Sequence, residues 1–76
     1  MTDVAQTPTK RRPRDERVLE FVRAYVAREG LAPSVREIAA GLTLASTSGV
    51  HESLVRLREA GQLTFREKQP RTIRLV

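Results

Sequence analysis

The chain has 76 residues, a net charge of +5 and 14 basic side chains, 12 of them arginine. That length allows one small domain with a modest core and leaves no room for a second regulatory or catalytic domain. With no Cys and a single His, His51, it lacks the residues for disulfides, thiolate metal sites or an imidazole cluster, and no cofactor is expected. No apolar run approaches the ~20 residues of a membrane span, and the N-terminus lacks the apolar core of a signal peptide, so the expected compartment is the cytoplasm, alongside the chromosome.

Residues 1–12 have no apolar period and read as a disordered basic tail. Lys10, Arg11, Arg12, Arg14 and Arg17 gather positive charge at the entry to the first helix. They suit an arm that touches phosphates or enters a minor groove, and equally a solvated, solubilising tail.

Helix 1 is predicted from Pro13, since proline suits the first helical position. Asp15 and Glu16 then favour the positive end of the helix dipole. Val18, Val22, Tyr25 and Val26 make one apolar face, widened by Leu19 and Phe21. Gly30 is the expected terminator, and Leu31, Ala32 and Pro33 form an extended connection. Helix 2 carries the clearest start signal, a Ser34–Glu37 capping box. Val35, Ile38, Ala39 and Leu42 form its inner face, and Thr43, Leu44 and Ala45 make a turn with Leu44 directed inward.

Helix 3 should be capped by Ser46 and closed by Gly61. Val50, Leu54 and Leu57 face the core, while Ser48, His51, Glu52, Val55 and Arg56 lie outside. Two helices joined this tightly form a helix-turn-helix, whose second helix fits a DNA major groove. An ordinary amphipathic surface helix is the plainer reading of the same pattern. The period then changes to two. Leu63 with Phe65 and Ile73 with Leu75 read as short strands with one buried face, joined by a polar turn at 67–71. The expected fold is therefore mainly α with a small β-hairpin: a three-helix winged helix-turn-helix over residues 13–76. The hairpin is either a wing on the DNA backbone or an inert brace.

The arginine bias suits bidentate contacts to phosphate and guanine, although a GC-rich genome would also produce it. Arg14, Arg36, Thr47, Arg56, Lys68 and Arg71 are the candidate contacts to the DNA backbone, with Arg66 in reserve. Ser46, Ser48, His51 and Glu52 are placed to reach base edges, Glu52 as an acceptor from a cytosine amino group. Gly49 would let backbone or a thymine methyl approach closely. His51 suits a phosphate when protonated and a base when neutral. The rival reading is a protein-interaction module, an antirepressor or adaptor, which Glu52, Glu59 and Glu67 would favour because acids repel phosphates. An enzyme is not expected, because the chain has no nucleophile–base pair, metal set or glycine-rich phosphate loop. RNA binding is disfavoured because Phe21, Tyr25 and Phe65 are all used by the core and none is left to stack bases.

Ala-Pro-Ser-Val-Arg-Glu-Ile-Ala at 32–39, Leu-Ala-Ser-Thr-Ser-Gly-Val at 44–50 and Leu-x-x-Leu-x-x-x-Gly at 54–61 together resemble the N-terminal domain of LexA-type repressors. Pro-Arg-Thr-Ile-Arg-Leu at 70–75 is similar to that family's second wing strand, so the likeness covers residues 13–76. The resemblance implies a transcriptional repressor that binds a palindromic duplex operator in pairs, with Ser46, Ser48, Gly49, His51 and Glu52 reading bases. Relatives with a Ser-Thr-Ser-Ser-Val motif read a GAAC-type half-site. Here Gly49 replaces the third Ser, and His51-Glu52-Ser53 departs from the usual Ala-His-Gln, departures that fall on the reading face. Thr43 stands where a turn glycine is common, implying slightly different turn dihedrals. LexA proteins normally carry a self-cleaving Ser/Lys peptidase domain. Lys10 and Lys68, the only lysines, are not on a scaffold for a buried catalytic base, and no cleavage is expected at Ala60 and Gly61. A natural short relative is preferred over an excised domain, with weak pairing on DNA for which the strand edge at 73–76 is available.

Overall fold

The computed structural model describes residues 13–76, so the expected basic tail at 1–12 lies outside the described residues. Helices α1 (Pro13–Glu29), α2 (Val35–Gly41) and α3 (Thr47–Glu59) are followed by strands β1 (Leu63–Thr64) and β2 (Arg74–Leu75). This is the winged helix-turn-helix that the sequence pattern predicts.

In α1 the inner stripe is narrower than its apolar pattern. Val18, Leu19 and Val22 are fully buried, whereas Phe21 and Val26 only flank the core and Tyr25 is half-buried. Gly30, at φ +75, ends the helix, and Ala32 and Pro33 are buried as the chain crosses to α2. The capping box forms as expected. Glu37 N–H donates to Ser34 Oγ at 3.1 Å and Ser34 N–H donates to Glu37 Oε1 at 2.8 Å. Ile38 and Ala39 then enter the core.

The turn closes by a Schellman pair of hydrogen bonds, Leu44 N–H to Ala39 O at 2.8 Å and Thr43 N–H to Ala40 O at 3.2 Å. That closure puts Thr43 at φ +58, a region that a β-branched residue occupies only at a steric cost. The turn thus keeps a left-handed residue although glycine is absent. Just before it, Gly41 lies so close to the Phe21 ring that an added Cβ would collide with it, which lets α1 and α2 approach.

Ser46 caps α3 as predicted, its Oγ accepting from Ser48 N–H at 3.2 Å. Val50, Leu54 and Leu57 are buried between the other helices and the wing, each such leucine contributing about 1.5–3 kcal/mol. The C-cap is Ala60, one residue earlier than expected. The Schellman closure needs its left-handed residue after the cap, and Gly61 supplies it at φ +79.

The hairpin is antiparallel, with Leu63 opposite Leu75 and Thr64 opposite Arg74. It is shorter than the alternating pattern suggests. Thr72 Oγ1 accepts from Arg66 N–H at 2.9 Å and contacts Gln69 O at 2.9 Å, so a side chain replaces the next ladder rung. The predicted burial of Leu75 is also corrected: it remains 37% exposed. β1 packs on α3, and β2 is the outer strand paired to it. Leu63 and Ile73 carry the wing's share of the core.

Candidate nucleic-acid interface

The capped start of α3 projects into solvent. Ser46, Thr47, Ser48, His51 and Glu52 are all exposed there, and Gly49 is half-buried beside them. The fold thus brings all five expected base-reading residues onto the cap and the first two turns of α3. The short side chains at 46–49 leave that end uncrowded. Ser46 spends one lone pair on its cap.

His51 is tied to the wing. Its Nε2 lies 2.8 Å from Glu67 Oε1, and its ring meets Phe65 edge-on at 5.9 Å. Arg58 completes the cluster, donating to the other Glu67 oxygen at 3.2 Å and lying over Phe65 at 4.3 Å. The hydrogen bond from His51, with help from Arg58, holds the Glu67 carboxyl below its ordinary value. Glu52 lies 3.5 Å from the Arg14 guanidinium. Glu52 and Glu67 therefore each have a basic neighbour, whereas Glu59, the third acid of that group, is exposed and has no ion-pair partner among the described residues.

The six expected backbone contacts divide into two groups. Arg36 and Lys68 have no hydrogen-bond or ion-pair partner among the described residues, and the Thr47 hydroxyl is likewise uncommitted. Lys68 is held at the wing tip at φ +61. Arg36 and Lys68, with Arg66, rim a cleft of about 290 Å³ floored by Leu54, Phe65 and Ile73. Arg14, Arg56 and Arg71, in contrast, make contacts inside the protein. Arg71 forks onto Glu37 at 3.0 and 2.9 Å and donates to Ala32 O at 3.0 Å, tying the wing to α2. That fork holds the Glu37 carboxyl down at about 2.

Arg56 forms the other internal fork. Its Nε and NH2 donate to Asp15 Oδ2 and Oδ1 at 2.8 and 3.0 Å, and Asp15 is only 2% exposed. Burial alone would raise this carboxyl. Hydrogen bonds from Arg56 and Ser53, with the charges of Arg56 and Arg14, outweigh burial and hold it below its ordinary value. Ser53, fully buried, also accepts from Arg14 Nε at 3.1 Å. Arg14, Ser53, Asp15 and Arg56 thus form a polar seam between α1 and α3. Sequence reading treated Asp15 as a dipole residue and missed the seam. The signal was available, because Asp15 precedes Val18, Leu19 and Val22 by three, four and seven positions and so lies on their buried face.

Among the described residues, no group of three or more His, Cys, Asp or Glu side chains is arranged to hold a metal ion. No described helix is long and apolar enough to cross a membrane.

Residues 9–72 match the family model described as LexA DNA binding domain. The chain is 45% identical over 64 residues to the LexA repressor of Frankia casuarinae, covering 84% of this chain and 25% of that protein. It is 40% identical over 68 residues to the LexA repressor of Geobacillus thermodenitrificans, covering 90% of this chain and 33% of that protein. With the LexA repressor of Brevibacillus brevis it shares 41% over 63 residues, covering 83% of this chain and 30% of the relative. The chain therefore spans between a quarter and a third of the length of these relatives. With the fold, the exposed α3 start and these matches in agreement, the chain belongs to the LexA DNA-binding domain family.

Proposed function

We propose that this chain is a sequence-specific duplex DNA-binding domain that represses transcription by occupying a promoter. The start of α3 enters the major groove, where Ser46, Ser48, Gly49, His51 and Glu52 meet base edges and Arg36, Thr47 and Lys68 meet phosphates. Arg56 and Arg71 act indirectly, by fixing α3 on α1 and the wing on α2. The observation that carries this reading is the exposed, uncrowded start of α3, flanked by Arg36 and Lys68, cations without a partner among the described residues. The partner is a palindromic operator bound by two copies that pair weakly on DNA. The setting is the cytoplasm, and no self-cleavage is assigned to this chain.

A protein-interaction role draws its support from the acids near this face. That support narrows to Glu59, because Glu67 is paired with His51 and Arg58, and Glu52 with Arg14. The test is selection from a randomised duplex library at moderate salt, with Ser48→Ala in parallel. Enrichment of an inverted repeat, weakened by the exchange, is the expected result. A folded protein that enriches no sequence would sink the proposal in favour of a protein partner.

A further inference from the structure

Arg14 belongs to α1, yet its guanidinium lies on α3. Nε donates to Ser53 Oγ at 3.1 Å, and NH2 reaches Glu52 Oε1 at 3.5 Å. NH1 lies over Gly49, where an added Cβ would stand only 2.8 Å away. Any side chain at 49 would therefore displace the guanidinium, and glycine leaves its seat open. Arg14, Ser46, Gly49 and Glu52 line one shallow hollow at the start of α3. Among the described residues, both N–H groups of Arg14 NH1 and one of NH2 have no acceptor, and Glu52 Oε2 accepts no hydrogen bond.

We propose that Arg14 and Glu52 together read one G·C base pair in the major groove. Arg14 donates to guanine O6 and N7, and Glu52 accepts from the cytosine N4 amino group. The inference rests on the DNA-binding role proposed above and makes Arg14 a specificity-determining residue instead of a phosphate contact. Two arguments carry it. Only guanine presents the two adjacent acceptors that a guanidinium fork fits, and its partner cytosine presents a donor for a neighbouring carboxylate. A phosphate, in contrast, would have to approach the Glu52 carboxylate as well as the guanidinium, at a Coulomb cost.

The experiment compares duplex selection by the unaltered chain, Arg14→Gln and Gly49→Ala, with circular dichroism of each protein to confirm the fold. The unaltered chain should enrich a motif with one fixed G·C pair facing the start of α3. Both variants should lose preference at that pair by roughly tenfold or more, and Arg14→Gln should keep the rest of the motif. Arg14→Gln should also drift towards A·T there, because glutamine pairs bidentately with adenine. If the variants bind more weakly to all sequences with the motif unchanged, Arg14 is a backbone contact and this inference alone fails. If Arg14→Gln does not fold, Gly49→Ala decides, and an unchanged preference in it overturns the inference. If the unaltered chain enriches nothing, the DNA-binding role fails and the inference with it.

Discussion

Replacing Arg56 by Met tests whether the seam between α1 and α3 holds the recognition helix in place. The exchange leaves the Asp15 carboxyl, 2% exposed, without its two guanidinium bonds. Stranding a buried charge in this way costs about 3–5 kcal/mol. The low end, about 3 kcal/mol, is expected here because Ser53 remains bonded to the carboxyl. A chain of this size is stable by only about 4–11 kcal/mol in total, so the melting temperature should fall by roughly 12–24 °C. The pH dependence gives a second handle. In the unaltered chain Asp15 has a lowered value, so its contribution is complete above the ordinary 3.8 and is lost as pH falls through the folded value. In Arg56→Met, burial dominates and the carboxyl shifts upward. Its penalty is then felt at neutral pH and relieved on acidification, so the gap between the two proteins narrows towards pH 3. Asp15→Asn with Arg56→Met should lose less than the two single exchanges added together. Thermal and urea melts followed by circular dichroism at pH 7 and pH 3 measure all of this. A deficit below about 1 kcal/mol that does not change with pH would refute the reasoning, and a loss confined to DNA affinity would return Arg56 to the phosphate contacts.

Three further outcomes follow from the geometry. Thr43→Gly should stabilise the fold by about 1 kcal/mol in a thermal melt, since it removes a left-handed β-branched residue at φ +58 and adds only glycine's entropy cost. Gly41→Ala should destabilise it by about 1–3 kcal/mol in urea titration, because the new methyl meets the Phe21 ring. The Glu37 carboxyl should titrate at about 2 by nuclear magnetic resonance and return towards the usual 4.5 in Arg71→Gln. Its stabilising contribution is therefore complete above pH 4.5 and lost as pH falls through about 2.

The helices were legible because each begins or ends on a local signal. The Ser34–Glu37 box, the Ser46 cap and the Gly30 stop are chemistry within a few residues, and all three form as the sequence pattern indicates. The α3 reading face was legible for the same reason, since helical period alone sorts Val50, Leu54 and Leu57 from Ser48, His51 and Glu52. The partners of the arginines were not. Arg14 to Ser53, Arg56 to Asp15 and Arg71 to Glu37 join residues 34 to 41 positions apart, and no local period reports which of many arginines meets which acid. The wing was half legible. Alternation located Leu63 and Ile73, but the Thr72 hydroxyl that ends the ladder and the outer position of β2 depend on tertiary placement.

The central claim is that the start of α3, with the wing beside it, is the surface that meets DNA. Amide shifts of the isotopically labelled chain, followed while duplex selected from the library is added, test it most directly. The account predicts changes concentrated at residues 46–52 and 66–69, with the outer part of α1 at 20–29 silent. Changes centred instead on the exposed apolar residues Leu31, Leu75 and Val76, with 46–52 unmoved, would contradict it.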